Sequence, residues 1–135
     1  MTLVIDSSIA LAWFLPDEGS PLADTVLVEV SENGAFVPSL FPVEFGNGLV
    51  MAVRRKRIDH DYRRRTFERI AELDLAEDRE GREQVWTDTV ELADMHGLTL
   101  YDATYLELAL RTGLPLATLD KRLGKAALDI GILLN

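Results

Sequence analysis

Four acids stand at positions where their chemistry could count: Asp6, Glu44, Asp102 and Asp120. Asp6 closes the apolar run Leu3-Val4-Ile5, and Asp120 follows the run Leu114 to Leu119. In open parallel sheets, ligands bind beyond the carboxyl ends of the strands, so two such runs side by side would deliver both acids to one crevice. Glu44 is embedded in Leu40-Phe41-Pro42-Val43-Glu44-Phe45-Gly46-Asn47, where burial is hard to avoid and an unpaired carboxylate is costly. Asp102 opens the helical stretch Tyr101-Asp102-Ala103-Thr104-Tyr105-Leu106. Singly, each has a plainer explanation: Asp6 as a helix cap, Asp120 as a turn residue, Asp102 as a charge favoured by a helix dipole.

Together they suggest a carboxylate-only pocket. Without a cation, four close carboxylates repel one another and hold protons. An all-oxygen donor set suits a hard divalent ion, Mg²⁺ or Mn²⁺, which can bind a phosphate oxygen and acidify a water. Asn47 shares a helix face with Glu44, three residues away. Ser8 and Thr118 lie two residues from Asp6 and Asp120, where their hydroxyls could orient carboxylates or waters. There is no cysteine, which excludes disulfides, thiolate metal sites and thiol nucleophiles. His60, in a charged turn, and His96, before Gly97, have no ligand partner nearby in sequence and read as structural.

The elements that must position these residues read as an α/β pattern. Short apolar strands are expected at 3–5, 35–38, 73–75, 114–119 and 130–134. Helices are expected at 9–14 after the Asp6-Ser7-Ser8 cap, at 20–32 up to Asn33-Gly34, at 40–57, 59–72, 80–96 and 101–112. Strands separated by helices imply a mainly parallel sheet. Neither a repeat nor a linker divides residues 1–135, which read as one domain.

With these segments in order, the chain resembles a PIN-domain ribonuclease of the VapC-type toxin family. The resemblance rests on Leu3-Val4-Ile5-Asp6-Ser7-Ser8, on Pro38-Ser39 with Glu44 and Asn47, and on Leu100-Tyr101-Asp102-Ala103-Thr104-Tyr105-Leu106-Glu107-Leu108-Ala109. It continues through Gly113-Leu114-Pro115-Leu116-Ala117-Thr118-Leu119-Asp120-Lys121-Arg122-Leu123 to Ala126-Ala127 and Gly131. It implies a PIN-like three-layer α/β domain with about five strands in the order 3-2-1-4-5. It also implies Mg²⁺- or Mn²⁺-dependent cleavage of single-stranded RNA by a water nucleophile. Asp6 and Asp102 would be direct metal ligands, and Glu44 and Asp120 would complete the pocket directly or through water. The family further implies a homodimer in a larger toxin–antitoxin assembly, held inactive by a cognate antitoxin through which operator DNA is reached. The competing readings are a non-cleaving PIN-like module that binds RNA or a partner, and a phosphoacceptor domain. The second needs a lysine where this chain has Asp120 ahead of Lys121.

The overall charge argues the other way at first. With 14 Lys/Arg against 23 Asp/Glu, the chain carries −9, a poor balance for holding RNA. The charge is uneven, however: residues 54–65 carry +5 and the rest −14. Arg54, Arg55, Lys56 and Arg57, with Arg63, Arg64 and Arg65, are either a solvated face or a contact for RNA phosphates or an acidic partner. Lys121 and Arg122 beside Asp120 are candidates for the same role. Arg111, near a helix end, needs no more than the helix dipole to explain it. Trp13, Phe14, Phe41, Phe45 and Met51 read as core or as a stripe for a second chain. The N-terminus lacks the basic region of a signal peptide, and no apolar run reaches membrane-spanning length, so a cytoplasmic protein is expected.

Overall fold

Val4 and Ile5, both buried, form the first strand, β1, in the computed structural model, which describes residues 1–134. Asp6 then turns the chain: its Oδ1 accepts the backbone N–H of Ile9 at 3.2 Å and starts α1, Ser7–Phe14. Helix α2, Pro21–Asn33, is capped by Ser20 with Pro21 in its first turn. It ends at Gly34 and is followed by β2, Ala35–Val37. Then come α3, Phe41–Arg54, and α4, His60–Ile70, capped by Asp59, and β3, Leu75–Glu77. The segment expected to be one helix from Glu80 to His96 is a succession: a 3₁₀ turn at Gly81–Gln84, a π turn at Val85–Thr89, and α5 at Val90–His96. Thr99 caps α6, Leu100–Thr112, which leads to β4, Leu116–Ala117. Asp120 caps α7, Lys121–Asp129, a helix not anticipated from the sequence.

The sheet is parallel in the order β3-β2-β1-β4, with Val4 opposite both Phe36 and Leu116, and Ile5 opposite Ala117. The expected fifth strand at 130–134 is reduced to one parallel bridge, Leu133 to Leu116. Its shortness has a cause: α7 and its C-terminal turn take up the chain as far as Gly131, leaving only a few residues to meet β4. The run 114–119 pairs only at Leu116–Ala117, because Thr118 to Asp120 already bend into the cap of α7. The third strand lies two residues later than expected, since Ile70 to Leu73 close the end of α4.

One contiguous core joins the helices flanking the sheet, with Ile5, Ile9, Leu49, Tyr105, Leu106, Leu116 and Leu123 among its fully buried members. The aromatic residues sort by burial. Phe14, Phe41 and Phe45 are core, with Phe41 stacked on Phe45 at 5.8 Å and Phe14 edge-on to Phe45 at 6.1 Å. Trp13 and Met51 are half-buried, and Trp13 Nε1 donates to the Ala23 carbonyl at 2.8 Å. Phe14, Phe41, Phe45 and Trp13 therefore pack on the core rather than forming an exposed stripe.

Gly34 shows how tightly β2 meets β3. Its φ of 72° and ψ of 178° suit glycine almost alone, and a Cβ there would lie 2.7 Å from the Asp74 carbonyl. Gly34→Ala is expected to lower stability by about 2 kcal/mol, a typical cost of one strained residue, read as a lower denaturation midpoint at unchanged slope. An unchanged midpoint would refute this account of the β2–β3 junction.

Candidate functional site

The carboxyl edge of the sheet gathers the acids. Asp6 follows β1 and is 5% exposed, the most buried of the four. Its Oδ1 accepts from Ser8 Oγ at 2.6 Å as well as from Ile9, and its Oδ2 accepts from Thr118 Oγ1 at 2.5 Å. Both hydroxyls are turned toward Asp6 by the β4–α7 turn. Ser8 Oγ accepts the N–H of Leu119 at 2.9 Å, and Thr118 Oγ1 accepts that of Asp120 at 3.0 Å, so their own hydrogens are left to donate. The two residues singled out beside Asp6 and Asp120 thus serve one carboxylate.

Asp120 caps α7, its Oδ1 accepting from Leu123 at 2.9 Å. Asp102 lies in the first turn of α6, its N–H bonded to Thr99 Oγ1 at 3.1 Å. Glu44, in the first turn of α3, is half-buried, and its Oε1 accepts from Tyr105 Oη at 2.5 Å. The plain structural roles and the clustering hold together: Asp6 and Asp120 are helix caps and also members of the acid group.

Their electrostatics show the proximity. Burial pushes the Asp6 carboxyl up to about 6 against the three hydrogen bonds that favour its charge, and the charge of Asp120 pushes the same way. Burial also raises Asp102, and Asp120 adds to it. Glu44 is raised by burial and by Asp102, with the Tyr105 bond opposing. Burial and Glu44 drive the Tyr105 hydroxyl far up, so it remains a donor; Asp6 and Asp102 contribute to the same effect. Among the described residues, no three Asp, Glu or His side chains are placed closely enough together to hold one ion between them. The donor set nevertheless fits Mg²⁺ or Mn²⁺: it offers only carboxylate oxygens, and these ions commonly take one or two carboxylates and keep several waters.

Other expected participants separate from the group. Asn47 is exposed on α3, and no hydrogen bond joins it to Glu44. Lys121 and Arg122 are exposed in the first turn of α7, directly after Asp120. Arg54 and Arg55 end α3, about 15 Å along the axis from Glu44 at 1.5 Å per residue, so the basic run lies away from the acids. Much of its charge is locally spent. Arg57 pairs with Asp17 at 2.5 Å and Glu18 at 2.6 Å, and Arg64 with Asp61 and Glu68 at 2.7 and 2.9 Å. Arg65 pairs with Asp61 at 3.1 Å.

Two features escaped the sequence reading. Tyr105 belongs to the acid group; the available signal was its place three residues after Asp102, on the same helix face. Arg111 is more than a helix-end cation: its guanidinium grips Glu107 at 2.8 Å and Asp78 at 2.7 Å, both carboxylates nearly buried.

Comparisons with known proteins agree with the fold. A family model described as a PIN domain matches residues 3–128. Ribonuclease VapC3 of Pyrobaculum aerophilum is 32% identical over 125 residues, covering 93% of this chain and 94% of the relative. The crystal structure of PAE2754, also from P. aerophilum, aligns at a TM-score of 0.68 and 25% identity, over 93% of this chain and 79% of that one. FitAcB from Neisseria gonorrhoeae shares the fold at a TM-score of 0.65 and 15% identity, over 93% and 92% of the two chains. A toxin–antitoxin complex from Klebsiella pneumoniae does so at 0.59 and 18%, over 88% and 87%.

Proposed function

The chain belongs to the PIN-domain family, and from that membership we propose that it is a Mg²⁺- or Mn²⁺-dependent endoribonuclease, the toxin of a toxin–antitoxin pair. The observation that carries this reading is the acid group itself. Asp6 lies buried under two hydroxyls at the end of β1, and Asp120, Asp102 and Glu44 are linked to it and to one another by their charges. Asp6 and Asp102 would hold the ion, and Glu44 and Asp120 would complete the pocket directly or through water. A bound divalent ion supplies Lewis acidity toward a phosphate oxygen and lowers the pKa of a water.

The chain's own residues supply the rest. Ser8 and Thr118 fix the Asp6 carboxylate by hydrogen bonds to both of its oxygens, so it would meet an ion without reorganising. Asp120 is fixed by the α7 cap and Asp102 by the first turn of α6. Lys121 and Arg122, beside Asp120, give the RNA backbone cations next to the acids. The likeness to Ribonuclease VapC3 and to a protein from a toxin–antitoxin complex supports the RNA substrate and the antitoxin partner. A homodimer within that assembly, reaching operator DNA through the antitoxin, completes the proposal. No helix among the described residues is long and apolar enough to cross a membrane.

The test is metal removal. Purified chain with single-stranded RNA is expected to cut in Mg²⁺ or Mn²⁺, to stop in excess EDTA, and to resume when the ion is restored. Undiminished cutting in EDTA overturns the reading. RNA binding without cutting across titrations of both ions would favour the binding-module alternative.

A further inference from the structure

The three aspartates are held by the backbone that carries them: Asp6 and Asp120 cap helices, and Asp102 sits within the turn capped by Thr99. Glu44 is different. Its side chain is one methylene longer and its freedom correspondingly greater. Its carboxylate accepts a hydrogen bond from Tyr105, a residue of another helix, 61 positions away in sequence. Tyr105 is 1% exposed, so its hydroxyl has no water to turn to and must find a partner within the protein. The bond commits Oε1 and leaves Oε2.

Resting on the ribonuclease reading above, we propose that Tyr105 is a positioning residue for Glu44: its hydroxyl takes Oε1 and fixes the carboxylate so that Oε2 is the oxygen offered to the divalent ion or to its water. A carboxylate restricted to one oxygen suits Mg²⁺, with its strict octahedral demands, better than a freely rotating one. Asp102 and Tyr105 share a face of α6, so one helix brings a ligand and also the group that orients another.

The experiment titrates the metal-free full chain with MgCl₂ by calorimetry, for wild type, Tyr105→Phe, Glu44→Ala and the double variant. Tyr105→Phe is expected to weaken Mg²⁺ binding about 10- to 100-fold, the range for loss of an outer partner of a metal ligand. In the Glu44→Ala background the same substitution is expected to change nothing. Turnover of RNA falls in Tyr105→Phe while KM for RNA stays at the wild-type value. Glu44→Asp, too short to reach the hydroxyl, should weaken Mg²⁺ similarly with Tyr105 intact, which covers a Phe variant that fails to fold. Wild-type Mg²⁺ affinity in Tyr105→Phe, or an equal loss in the Glu44→Ala background, overturns the inference alone. A wild-type chain that neither binds Mg²⁺ nor cuts RNA overturns the ribonuclease reading and this inference with it.

Discussion

Asp6→Asn is expected to make the metal-free protein more stable at pH 7 while lowering RNA cleavage by more than ~100-fold. The loss of activity should exceed that caused by removing an outer partner of a metal ligand, because Asp6 is proposed as a ligand itself. The gain in stability follows from burial. The folded carboxyl sits at about 6, above its ordinary 3.8, so ionisation opposes folding. The sign is fixed by linkage: the folded state binds the proton more tightly. The cost of the charge is absent below about pH 4, grows between the two values, and is complete above about pH 6. At pH 7 the difference amounts to about 3 kcal/mol as an upper figure. Asn keeps an oxygen for the Ile9 and Ser8 bonds without the charge. Thermal melts in EDTA should place Asp6→Asn above wild type at pH 7, with the gap closing toward pH 4. Mg²⁺ should raise the wild-type melting temperature more than the variant's, because only a binding-competent fold gains from the ion. A variant less stable than wild type at pH 7 would show that the buried charge is not the strained element.

Arg111→Ala is expected to destabilise the fold by about 3–5 kcal/mol, the range for breaking a buried ion pair from one side. Its Nε donates to Glu107 and its terminal nitrogens to Asp78, and those carboxylate side chains are 6% and 9% exposed. Without the guanidinium, two nearly buried negative charges would face each other. Asp78 cannot readily swing away: it also accepts the Gly81 N–H at 2.8 Å, and a Cβ on Gly81 would stand 2.6 Å from its Oδ2. Burial alone would raise the Asp78 carboxyl, but the Arg111 hydrogen bonds, the backbone N–H groups of Gly81 and Glu80 and the Arg111 charge together outweigh it and hold it below its usual value. A depressed folded pKa stabilises above the unfolded value and is lost as pH falls through the folded one. The gap between wild type and Arg111→Ala should therefore be full at pH 7 and narrow below about pH 4, as measured by urea denaturation. Arg111→Lys is expected to restore only part of the stability, since an ammonium cannot reproduce the two-sided fork.

The contrast between these two sites explains what could be read from the chain and what could not. Asp6 and Asp120 announce themselves because a parallel sheet converts the end of an apolar run into a position at one edge, and Asp102 by its place at the start of an apolar helix. Glu44 announces itself by an acid's discomfort among Phe41, Val43 and Phe45. Arg111 does not, because Asp78 lies 33 residues away and only the packing of α6 against the 3₁₀ turn brings them together. The basic run divides along the same line. The pairs of Arg64 and Arg65 with Asp61 and Glu68 follow helix spacing, whereas the pairing of Arg57 with Asp17 and Glu18 is tertiary. Helix α7 was missed behind Gly124, although its buried Leu123, Ala126 and Ala127 repeat at helical intervals. The π turn at Val85–Thr89 has no distinct hydrophobic period, so residues 80–96 read as one regular helix.

The clasp of Ser8 and Thr118 around Asp6 has a consequence for how the molecule comes into being. A ribosome makes Asp6 early and Thr118 112 residues later, and the parallel pairing of β1 with β4 waits for the same late segment. Until that segment emerges, Asp6 has neither the hydroxyl on its Oδ2 nor Asp120 as a neighbour, and Ser8 lacks the Leu119 N–H that aims it. The acid group is thus among the last parts of the protein to be assembled. Competence of the site therefore follows completion of nearly the whole chain rather than of its first strand.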